Sequence, residues 1–86
     1  MKDPIDFLND GKIREMTLED GTKIYIYGVG VLSVLIGEDR KTAKWHIVNT
    51  NELSWFRPYI KWKDKKTYIE KELFLDEFKI SKERKK

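Results

Sequence analysis

The sequence predicts a small, mainly β domain: an antiparallel barrel or strongly bent sheet of five to six strands, SH3-like or OB-like, preceded by a short N-terminal helix. The barrel label describes a strand pattern and implies no ancestry. Three observations lead to it. Apolar and polar residues alternate with a period of two in several short segments, as side chains do on the two faces of a strand. Turn signals, Asp20-Gly21 and Asp64-Lys65-Lys66, separate those segments. Gly28 and Gly30 interrupt a strand pattern, where glycine marks a bulge or bend.

Length sets the scale. With 86 residues the chain makes one domain, and only about 60–65% of its unfolded surface can be buried. Residues 1–80 are read as that single β domain and residues 81–86 as a mobile charged tail.

The elements follow in order. Asp3-Pro4-Ile5-Asp6 carries an N-cap aspartate, a proline at the first helical position and acid in the first turn, so a short helix is expected until Asn9-Asp10-Gly11 stops it. Ile5 and Leu8 share a face that should plug one end of the core. Residues 12–19 and 22–27 form the clearest hairpin, with Met16, Leu18, Ile24 and Ile26 facing inward and Lys23, Tyr25 and Tyr27 outward. The run Val31-Leu32-Ser33-Val34-Leu35-Ile36 does not alternate, so both its faces need cover, within the monomer or in a homodimer contact. Residues 42–48 read as a strand with Ala43, Trp45 and Ile47 toward the core and Lys44 and His46 toward solvent. Pro58 opens the next strand, which runs to Lys63 and pairs with residues 67–71. Between 68 and 80, a helix would scatter Tyr68, Ile69, Leu73, Phe74, Leu75 and Phe78 round every face, so strand, turn and a short strand over residues 77–80 is preferred.

Composition excludes several classes. There is no cysteine, hence no disulfide, thiolate metal site or cysteine nucleophile. His46 is the only histidine, and the carboxylates have no metal-ligand spacing, so no metal, no cofactor and no catalytic set is expected. No apolar stretch reaches the ~18–20 residues of a membrane span, and a cytoplasmic, non-membrane protein is expected. A Lys- and Glu-rich composition without cysteine or glutamine suits a thermophile, although an AT-rich genome gives the same bias. Ile24-Tyr25-Ile26-Tyr27-Gly28-Val29 resembles the shorter signature of the RNA-recognition motif, but the likeness covers six residues and lacks the second signature and the two helices.

Charge is what points to function. The net charge is +3, but residues 1–43 hold six basic and eight acidic side chains while residues 44–86 hold twelve and seven. The second half is therefore suited to an acidic partner, DNA or RNA or an acidic protein surface. Lysine, arginine and aromatic residues interleave from Trp55 to Lys66, and the expected nucleic-acid surface comprises Lys44, His46, Arg57, Tyr59, Lys61, Lys63, Lys65 and Lys66. Lys23, Tyr25 and Tyr27 form a second exposed row. The competing expectation is an accessory or inhibitory protein of the viral or mobile-element type, making protein contacts through Trp55, Phe56, Arg57 and Tyr59, as monomer or homodimer. Aromatic strand formers and edge lysines also occur for purely structural reasons.

Overall fold

A computed structural model describes residues 5–51 and 57–81. These form eight strands: β1 (Arg14–Thr17), β2 (Lys23–Val29), β3 (Ser33–Gly37), β4 (Lys44–Ile47), β5 (Asn49–Asn51), β6 (Arg57–Lys63), β7 (Glu70–Phe74) and β8 (Lys79–Ile80). They build two antiparallel sheets, a five-stranded one in the order β4-β3-β2-β1-β8 and a three-stranded one in the order β5-β6-β7. The chain passes from one sheet to the other at Val48.

Each element has a local cause. The β1–β2 hairpin closes at Asp20-Gly21, where Gly21 takes φ +92° and the Asp20 carboxylate accepts the Thr22 N–H. Register slips between Ile26 and Gly28, the bulge that the glycines predicted. At the end of β7 the residues Leu75–Glu77 make a 3-10 turn that drops Leu75 into the core and redirects the chain into β8, which pairs with β1. The core lies between the sheets. Ile24, Ile26, Val34 and Ile36 come from the larger sheet, Ile60, Trp62 and Leu73 from the smaller, and Ile5 and Leu8 join the same buried cluster.

Four expectations are corrected. No closed barrel forms among the described residues. The cause lies at β4 and β6: residues 49–51 pair with β6 only over Arg57–Tyr59, after which β6 follows β7 and leaves β4 open. The Val48 N–H donates to the Leu32 carbonyl, so by alternation the backbone groups of Trp45 and Ile47 point away from β3, along that open side.

The expected N-terminal helix is a lone 3-10 turn, Asp6–Leu8, with no side-chain cap; Gly11 at φ +77° soon turns the chain away, and the expected cap Asp3 and Pro4 lie outside the described residues. Trp45 and Ile47 are not in the core. They stand 56% and 75% exposed, His46 takes the inner side, and Val48 supplies the buried residue of that segment. Likewise the run 31–36 is not covered on both faces: Val34 and Ile36 are buried, but Val31 and Leu32 form the exposed tip of the β2–β3 hairpin. Ser81, expected as the first residue of the tail, has its N–H held by the Ile13 carbonyl; residues 82–86 lie outside the described part.

Candidate nucleic-acid interface

Seven of the eight expected contact residues fall into two groups that share Lys63. Arg57, Tyr59, Lys61 and Lys63 project from β6 on the outer face of the smaller sheet, because the intervening Pro58, Ile60 and Trp62 are buried. On this face β7 answers them. Tyr59 stands opposite Phe74, Lys61 opposite Glu72 and Lys63 opposite Glu70, so the row of cations is matched by a row of acids.

Arg57 is committed further. Its Nε donates to Asp76 Oδ2 at 2.8 Å and an Nη to Asp76 Oδ1 at 2.7 Å, with Glu77 at 3.3 Å. The guanidinium lies 4.1 Å from the Phe74 ring centroid, and Tyr59 meets the same ring at 5.6 Å. The bidentate hydrogen bond to Arg57 holds the Asp76 carboxyl below the usual aspartate value, and its carboxylate partners raise the Arg57 pKa in turn. Arg57 thus ties the start of β6 to the turn before β8, which is a structural task. Lys66 belongs to neither group: it sits in the β6–β7 turn with its Nζ 3.9 Å from Asp20, a pair exposed enough to contribute little.

The second group gathers where the two sheets part. Lys44, His46, Lys63 and Lys65 line a cleft of about 510 Å³ between β4 and β6, together with Lys41, Thr42, Glu38 and Trp62. His46 lies against Trp62, with ring centroids 5.5 Å apart and planes tilted by 30°. Since a carbonyl can only accept, the 3.1 Å contact between His46 Nδ1 and the Lys44 carbonyl places a proton on Nδ1 and directs Nε2 elsewhere. Four lysines, two around the start of β4 and two around the end of β6, therefore line one aromatic recess, and among the described lining residues Glu38 is the only acid. Such a recess can hold an anion at its rim and a flat group near its floor.

Lys41 was not expected in the site. Its turn is shaped by Asp39, which accepts the Thr42 N–H at 2.9 Å and the Thr42 hydroxyl at 3.1 Å; these bonds lower the Asp39 pKa. The pattern Asp-x-x-Thr in a polar turn signals that geometry, but nothing local says which sheet opening the turn will border.

The row Tyr25 and Tyr27 lies on the outer face of the larger sheet, with rings 5.8 Å apart and Arg40 5.1 Å over Tyr27. Trp45 shares this face and lies across Gly28 and Gly30. Trp55 and Phe56, the expected protein contacts, lie outside the described residues. Among the described residues no group of His, Asp or Glu is placed to hold a metal ion, and no helix is long and apolar enough to cross a membrane. No protein-family model matches the chain, nor does any curated protein or solved structure.

Proposed function

We propose that the chain is a non-enzymatic nucleic-acid-binding module whose contact surface is the cleft between β4 and β6. The observation that carries this is the convergence of Lys41, Lys44, Lys63 and Lys65 around the His46–Trp62 pair. Phosphates are neutralised by cations held on a rigid frame, and bases lie against aromatic rings; strands supply the frame and fix both spacings. A recessed aromatic floor favours single strands, whose bases are free to turn inward, over a duplex, whose bases are stacked. Arg57, Tyr59 and Lys61 are left to the fold and to the periphery.

The test is fluorescence anisotropy of labelled single-stranded DNA, RNA and duplex DNA, with Trp emission followed in parallel. Single-strand binding that exceeds duplex binding and quenches Trp emission supports the reading. Equal affinity for both forms without quenching would leave only diffuse charge attraction and overturn the cleft as the site.

A protein-contact role is the second reading, and a different surface favours it: the exposed apolar cluster of Val31, Leu32, Trp45 and Ile47.

A further inference from the structure

Beyond Tyr27, over which Arg40 lies at the rim, the described residues on the outer face of the β2–β3–β4 corner are uncharged. Gly28 and Gly30 on or beside β2, Ser33 and Leu35 on β3, and Trp45 and Ile47 on β4 meet there, with Ser33 opposite Ile47 and Leu35 opposite Trp45. Val31 and Leu32 extend it as the hairpin tip. Trp45 joins the two parts, since a Cβ on Gly30 would lie 3.3 Å from its ring. Four large apolar residues stand in water here: Val31 at 85%, Ile47 at 75%, Trp45 at 56% and Leu32 at 43% exposure.

The hairpin tip is unusual in its chemistry. Leu32 has φ +56°, a conformation that hairpin turns normally give to glycine or asparagine. A branched apolar side chain in that position costs conformational energy, and Leu32 still leaves 43% of its surface exposed in the monomer, which points to a contact made outside it.

We infer that this corner is the interface of a homodimer, with a second copy of the chain as its occupant. Area is the first argument. The four residues expose on the order of 450 Å² per copy, so packing patch on patch removes at most roughly 900 Å², to which the half-exposed Tyr25 and Tyr27 at the rim add, an area in the range of weak, concentration-dependent contacts. Self-complementarity is the second. An apolar patch without charges needs no matched charge opposite it, and a two-fold axis closes the assembly after two copies. The open side of β4 borders the same patch, so the outward backbone groups of Trp45 and Ile47 lie at the seam, where the Ile47 carbonyl accepts from the Asn49 side chain. Lys44 and His46 leave β4 from the opposite face, and the inference therefore stands apart from the nucleic-acid reading.

The test is sedimentation velocity on the full chain without nucleic acid, up to about 200 µM, well above the micromolar range of a small interface. The wild type should shift from monomer to dimer as concentration rises. Val31→Lys, Ile47→Lys and Leu32→Asn should each stay monomeric at the top concentration, with circular dichroism unchanged. Asparagine keeps the turn because it tolerates positive φ. Tyr68→Lys is the control, since Tyr68 is 74% exposed but lies in the β6–β7 turn; it should dimerise like the wild type. A wild type that remains monomeric throughout overturns the inference, whatever else the patch binds. So does a dimer that survives both lysine substitutions.

Discussion

Replacing Arg57 by alanine separates the two tasks that a basic residue in this stretch could have. In the structure the guanidinium is spent on Asp76, Glu77 and the face of Phe74. The Arg57 and Asp76 side chains are 37% and 42% exposed, so water screens the pair and even its bidentate geometry contributes modestly. The guanidinium over the Phe74 face adds a second modest contribution. Arg57→Ala should therefore lower the melting temperature by roughly 2–15 °C in a domain of this size. The pH dependence has a definite sign. Asp76 is more acidic folded than unfolded, so its contribution is full above the ordinary aspartate pKa and disappears as pH falls through the depressed folded value. The difference between wild type and variant should thus be largest near neutrality and shrink in acid toward the cation–π remainder. Thermal melts by circular dichroism from pH 7 to pH 2.5 would measure it, alongside single-strand affinity at pH 7. An unchanged melting temperature with a large loss of affinity would refute the reasoning and return Arg57 to the binding surface.

Other predictions concern backbone fit. Gly37→Ala would place a Cβ 2.6 Å from the Cα of Ala43, a backbone atom that cannot swing aside, so the variant should lose at least about 2 kcal/mol in a urea titration; a loss below 0.5 kcal/mol would show that the β3–β4 turn relaxes freely. Tyr68 holds φ +62° while exposed, so Tyr68→Gly should leave the melting temperature unchanged or raised. A clear fall would mean that the tyrosine ring is packed after all.

The elements legible in the sequence were those with local causes. Asp20-Gly21 marked the first hairpin because that turn needs a residue at ease with positive φ, and Gly28 marked the bulge. The second hairpin was legible in outline, but β7 starts at Glu70 because the turn reaches from Asp64 to Ile69, a length set by the Asp64 N–H to Ile69 carbonyl bond. Faces were harder. In Lys44-Trp45-His46-Ile47-Val48 alternation gives two rows but does not say which is inside, and hydrophobicity alone chooses Trp45 and Ile47. Placement of Trp62 on the facing sheet decides the matter by drawing His46 inward. The same long-range cause governs the candidate site. Lys44, His46, Lys63 and Lys65 were legible as residue types, but their meeting with Lys41 depends on where β6 parts from β4. Glu70 and Glu72 were visible in the sequence, yet only the register of β6 on β7 sets them against Lys63 and Lys61.

The central claim is that the lysines of the cleft, rather than the whole basic strand, hold the nucleic acid. Its most direct measurement is the salt dependence of single-strand binding for the wild type, Lys44→Glu with Lys63→Glu, and Lys61→Glu with Lys66→Glu. Four phosphate contacts predict a slope of log affinity against log salt near about −2.8 for the wild type. The cleft pair should lose affinity and flatten the slope to roughly −1.4, while the outer pair should stay near the wild-type slope. Equal losses from both pairs, with equal slopes, would mean that the protein attracts nucleic acid by overall charge alone and would contradict the cleft as the binding site.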